Sequence, residues 1–192
     1  DLGTHFFASV KRSGEKGLIV RLRAGTLRGM TWCPVRSLRA LLSAGFCALG
    51  IASSPAAACE TALLLALDVS NSIDAGEYRI QTEGMAAALR DDQIVEAMVR
   101  GRNAIAVMQW SGTGMQEMTL PWRRISGSAD MEALAAEVAD MPRAYIGANT
   151  AIGEAVRIAI GEVLTQSDCA RLIVDVSGDG PDNAGTLIDA AR

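Results

Sequence analysis

The chain has 192 residues and a formal charge of −4, enough length for one domain with a true core. That balance conceals a division. Residues 1–58 carry eight Lys or Arg against two Asp or Glu, whereas residues 59–192 carry ten Arg, no Lys and twenty Asp or Glu. The later part is a poor holder of nucleic-acid phosphates, and its acidity needs no partner to explain it, since net charge alone favours solubility.

Residues 1–29 hold both lysines, several glycines and no clear periodicity. They lie upstream of Met30, a plausible initiator, and read as a doubtful extension from which no domain is built. From Met30 the order changes. Arg36 and Arg39 precede an apolar stretch, Leu41 to Ala52, and small residues crowd 53–58. That order predicts a secretory signal peptide over 30–58, with an apolar segment too short for a comfortable membrane span. The alternatives are a retained anchor, or lipoprotein processing at AAAC, 56–59; Ala56 stands where a larger aliphatic residue is expected for the latter. The expected location is periplasmic or secreted, without a permanent span.

In residues 60–192 the run TALLLAL, 61–67, predicts a strand covered on both faces. Asp74 and Glu77 form a capping-box pattern, and Tyr78, Met85 and Leu89 supply a helical stripe behind it. AIAVMQW, 104–110, is a second buried strand, closed by the turn-forming SGTG. QEMTLPW contains Pro121 and suits an edge strand. One helix is expected from Ser128 to before Pro142, and another from Thr150 with Ile152, Val156, Ile160 and Val163 on one face. ARLIVDV, 170–176, is a third central strand, and AGTLIDAAR opens a last helix. Alternating strands and helices predict an α/β fold with a mainly parallel sheet and a functional crevice at the carboxyl ends of its strands. The last helix has no following strand beside it, so the domain reads as truncated at its C-terminus with one costly sheet edge left uncovered.

Cys33 and Cys47 fall within the expected signal segment; Cys59 and Cys169 remain for an exported domain, where a disulfide is plausible. Cys59 stands nine residues before Asp68 and Cys169 ten before Asp179. On parallel neighbouring strands both would meet at one end of the sheet, opposite the aspartates; two unpaired buried thiols are the alternative. His5 is the one histidine and lies in the leader, so two cysteines with no histidine make no convincing zinc site.

LLLALDVSNSI, 63–73, ends a buried strand on Asp68, Ser70 and Ser72. On this stretch alone a turn and helix cap is the better explanation. Thr150, in GANTAIGEAV, and Asp179, in SGDG, are expected at the same sheet edge. Two carboxylates and three hydroxyls make an oxygen-rich shell with one open side, suited to a hard cation such as Mg²⁺. DVSNS, the NTAIGEAV threonine segment and SGDG, in that order, resemble the three parts of a metal-ion-dependent adhesion site in a von Willebrand factor A domain. The fuller run, from ALDVSNSIDAGEYRIQTEG through QWSG to IVDVSGDGPDNAG, is similar to the bacterial domain-of-unknown-function family 1194 over about residues 60–192.

That resemblance implies a Rossmann-like, three-layer fold. It also implies that Ser70, Ser72 and Thr150 offer hydroxyls to the metal and that Asp68 and Asp179 bind it directly or through water. A carboxylate from a protein partner would complete coordination of Mg²⁺, Mn²⁺ or Ca²⁺. Nearby residues keep two readings each. Asp175 is a second acceptor behind the metal or a partner of turn amides; Asp182 and Asn183 touch ligand or shape the turn; Trp110 with Ser111 lines the rim or packs. Gly178 and Gly180 permit a turn, because GDG lacks the phosphate-loop pattern and its lysine. The leading expectation is an exported, metal-dependent, adhesion-type binding module rather than an enzyme. The alternatives are a metal-assisted phosphoester hydrolase, for which 60–192 offers no histidine, lysine or nucleophile elbow, or a scaffold without ligand.

Overall fold

A computed structural model describes residues 4–13, 17–24, 59–178 and 184. In chain order it contains β1 (Thr4–Ser13), β2 (Gly17–Ala24), β3 (Cys59–Asp68), α1 (Ala75–Leu89), α2 (Asp92–Arg100), β4 (Ala104–Trp110), β5 (Gln116–Arg124), α3 (Ser128–Ala139), α4 (Ile152–Leu164) and β6 (Cys169–Gly178). The expected signal segment, 30–58, and Asp179, Gly180, Asp182 and Asn183 lie outside the described residues.

Strand β3 sits inside a small α/β domain, in a four-stranded sheet ordered β6-β3-β4-β5 with four flanking helices; the β1–β2 hairpin extends the order to β2-β1-β6-β3-β4-β5. Pairing is parallel from β3 to β4 and to β6, and antiparallel from β4 to β5, β1 to β6 and β1 to β2. The sheet is therefore mixed: the central pairings of β3 are parallel, as expected, and the edge strand β5 runs antiparallel. The cause is local. After Trp110 the chain turns back at once, with Ser111 N–H donating to Met115 O and Met115 N–H to Gly112 O, and Gly114 at φ +71°. A parallel return needs a dozen or more residues. Pro121 in β5 is tolerated because that strand is an edge.

The two faces of β3 explain its unalternating sequence. Ala62, Leu64 and Ala66 pack with Ala155, Val156, Ala159 and Val163 of α4 and with Leu172, Val174 and Val176 of β6. Leu67, together with Ile105 and Val107 of β4, packs with Ala86, Leu89, Met131, Leu134 and Val138 of α1 and α3. Core lies on both sides of the strand, with Leu63 and Leu65 half-buried and the rest of 62–67 fully so, and burial on both faces favours leucine and alanine along that run. The edge of β6 that the sequence reading leaves uncovered is paired by β1, with Phe6 opposite Val176 and Ala8 opposite Val174.

Helix α1 starts where the capping-box pattern places it. The Asp74 carboxylate accepts from Gly76 N–H (2.6 Å) and Glu77 N–H (2.8 Å), and Glu77 accepts from Asp74 N–H (2.8 Å). Helix α2 is an addition to the sequence reading: Val95, Met98 and Val99 share one face of it and pack on the α1–α3 side of the sheet. Cys59 and Cys169 face each other in register on β3 and β6 and form a disulfide with Cα atoms 4.3 Å apart. The bridge closes one end of the parallel pair, and Asp68 lies at the other.

Candidate metal centre

Strand β3 runs out of partners just after Asp68. Val69 N–H still donates to Trp110 O at 2.9 Å, but the next amide, Ser70 N–H, is captured by Asp68 Oδ1 at 2.7 Å. Ile73 N–H then returns to Ser70 O at 3.1 Å, and Asp74 begins the cap of α1. An aspartate accepting from the amide two residues on curls the backbone in the manner of an Asx-turn. Asp68 and Ser70 are thereby turned inward and fully buried, while Ser72 is exposed.

Thr150 is delivered from the other side by the segment joining α3 to α4. Asn71 N–H donates to Ala148 O (2.9 Å) and Ala151 N–H to Ser111 O (3.0 Å), while Ser111 Oγ donates to Asn149 O (3.2 Å). These bonds bracket Thr150, whose Oγ1 donates to Ser70 Oγ at 3.1 Å. Ser70 Oγ lies 3.1 Å from Ser72 Oγ in turn. Three hydroxyls, two from one turn and the third eighty residues from Ser70, form a line that runs from the buried Thr150 to the exposed Ser72.

The end of β6 closes against the same place. A Cβ added at Gly178 would stand 3.1 Å from Asp68 Oδ2 and 3.3 Å from the Trp110 ring, so glycine is what lets this strand end approach Asp68. Ala184 N–H donates to Thr150 O at 3.1 Å. Of the five site residues read from sequence, the structure brings Ser70, Ser72 and Thr150 into contact and hangs the loop on Asp68; Asp179 lies outside the described residues.

Trp110 is fully buried and donates its indole N–H to Ala66 O at 3.2 Å, so it packs rather than lines a rim. Ser111 is equally buried and holds the Thr150 segment. Asp175 sits half-buried on β6, in register with Leu65. The residues missed from sequence are those that hold the loops. Gln109, fully buried, donates Nε2–H to Pro142 O (2.9 Å) and accepts from Ala144 N–H (2.8 Å). Arg143 Nη2 donates to Val69 O (2.9 Å) and Ser70 O (2.8 Å). Tyr78 donates its phenol to Met141 O at 3.1 Å; burial pushes that phenol above its ordinary pKa, against the opposing pull of a Gln109 hydrogen bond and the Arg143 charge.

Among the described residues no group of three or more His, Cys, Asp or Glu gathers in a way that could hold a metal ion. The cluster at the end of β3 has a different composition, one carboxylate with three hydroxyls. Hard oxygen donors of this kind match Mg²⁺, Mn²⁺ or Ca²⁺ and not the soft-ligand metals. Among the described residues no helix is long and apolar enough to cross a membrane.

A comparison with curated proteins returns no match. Residues 58–192 match the family model described as "Protein of unknown function (DUF1194)". This α/β domain, with its disulfide at one end of the central strand pair and its hydroxyl line at the other, belongs to the DUF1194 family.

Proposed function

We propose that the chain is an exported, metal-dependent binding module of the von Willebrand factor A type, with an adhesion site for Mg²⁺ at the end of β3. Ser70, Ser72 and Thr150 would hold the cation through hydroxyl oxygens, and Asp68 and Asp179 directly or through water. The observation that carries the reading is the contact line Thr150–Ser70–Ser72 beside Asp68. A turn with a helix cap accounts for Asp68, Ser70 and Ser72, and Asp74 already does the capping of α1. Neither requires a threonine hydroxyl from a distant segment to be driven into the same buried point.

The bound cation supplies a positive centre for an incoming carboxylate. The surroundings argue for such a ligand. Both α1 and α4 begin at this edge, and helix N-termini favour an arriving anion by about 0.3–1 kcal/mol each. The net negative charge of residues 59–192 opposes a bare anion, so the metal is needed as the bridge. The partner is accordingly a protein that presents an exposed Asp or Glu side chain.

The test is binding of the full chain to an array of acidic peptides, with Mg²⁺ or with EDTA, beside Asp68→Ala. Signal that requires both the metal and Asp68 is expected. Peptide binding that persists in EDTA, or that Asp68→Ala leaves unchanged, would contradict the proposal.

A further inference from the structure

The segment that delivers Thr150 is held at both ends, and only one end is explained by the metal centre itself. At the far end stands Gln109, a polar side chain on the otherwise apolar strand β4, fully buried between the sheet and the segment after α3. Its amide satisfies both of its own functions on the backbone either side of Arg143, through Pro142 O and Ala144 N–H. A buried amide left half-paired is costly, so this bidentate grip defines where residues 142–144 sit. Arg143, thus aimed, donates to the carbonyls of Val69 and Ser70, the two peptide groups that flank the Ser70 side chain. Tyr78, at the start of α1, fastens the neighbouring Met141 O.

We infer that Gln109 and Arg143 are positioning residues for the metal centre: together they lock the Ser70 turn to the segment that carries Thr150 and so set the spacing of the hydroxyl line. This rests on the metal reading above. Neither residue contributes an atom to the hydroxyl line. Their action is to remove the freedom of two loops that have no strand partners at this point, so that the cation meets oxygens already in place. Loss of partners that orient metal ligands typically lowers metal affinity about 10-fold to 100-fold.

Two measurements on the full chain distinguish the lock from its effect on the metal. The first, amide hydrogen exchange without metal, reads the lock itself. Exchange at 70–73 and 148–151 is expected to quicken at least about tenfold in Gln109→Leu and Arg143→Met, and to return near the wild-type rate in Arg143→Lys, which keeps a donor for the two carbonyls. The second, Mn²⁺ titration, reads its consequence. Affinity is expected to fall about 10-fold or more in the first two variants and to recover in Arg143→Lys. Gln109→Leu keeps the buried side chain's volume while removing both of its hydrogen bonds, and serves as a second witness should Arg143→Met unfold. Unchanged exchange in a folded variant overturns the lock. Quickened exchange with unchanged Mn²⁺ affinity overturns its role in the metal centre. A wild type that takes up no Mn²⁺ overturns the metal reading and with it the positioning role, and the exchange data then show whether the lock alone survives.

Discussion

Ser70 is the pivot of the candidate centre. Its amide is held by Asp68, its carbonyl by Arg143, and its hydroxyl lies between those of Thr150 and Ser72. Thr150→Val keeps the branched shape and removes the oxygen. We expect that variant to stay folded, because Thr150 sits at a segment fixed by backbone bonds through Ser111 and Asn71, and to lose at least about tenfold in Mg²⁺ affinity by calorimetry. Retained affinity would place the metal elsewhere. That Asp68, Ser70, Ser72 and Thr150 gather at one sheet edge was legible in the sequence, because a short oxygen-rich motif follows a strand and the threonine stands just before a helix. Gln109 and Arg143 were not. A glutamine near the end of AIAVMQW reads as the polar end of a strand, and an arginine after proline reads as a solvated loop charge. Their partners are backbone groups 33 to 74 residues away, and no sequence spacing encodes such bonds.

At the scale of elements, local signals fared well where capping or periodicity dominates. The Asp74–Glu77 box starts α1, and the stripes of α3 and α4 fall on the core. The direction of the edge strand had no signal of its own, since the antiparallel pairing of β5 follows from a short reversal at Ser111–Gly114 rather than from any property of β5 itself. Helix α3 carries its own pH signature. The Asp130 carboxylate accepts from Ser126 Oγ, Ser126 N–H and Gly127 N–H, which hold its pKa below the ordinary carboxylate value. A carboxyl whose pKa is lowered by folding stabilises the fold above its unfolded pKa and loses that contribution as pH falls through the lowered one. Thermal melts from neutral pH down through the carboxylate range should therefore show a shallower acid decline in Asp130→Asn than in wild type. Identical acid limbs would remove Asp130 from the account.

At the scale of the molecule, β3 connects two ends with different duties. One end is closed by the Cys59–Cys169 disulfide, which spans 110 residues of chain; the other bears the hydroxyl line. Nearly equal offsets from cysteine to aspartate, nine residues and ten, made the bridge readable from sequence, and the in-register, bonded pair bears that out. In the chain-entropy picture a bridge over so long a loop contributes about 4–5 kcal/mol. The double variant Cys59→Ser, Cys169→Ser should lose that much in denaturant unfolding, with a lower midpoint; an unchanged midpoint would show that the strands alone hold this end. The same architecture keeps the bridge remote from the metal centre, so metal affinity in the double variant should follow the folded fraction.

The measurement that bears most directly on the account is calorimetric titration of Mg²⁺ into the oxidised full chain, beside Asp68→Ala. Saturable binding at about one ion per chain, abolished in a folded Asp68→Ala, is the predicted result. A folded wild type that shows no saturable uptake of Mg²⁺, or uptake that Asp68→Ala leaves untouched, would contradict the claim that the end of β3 is a metal centre.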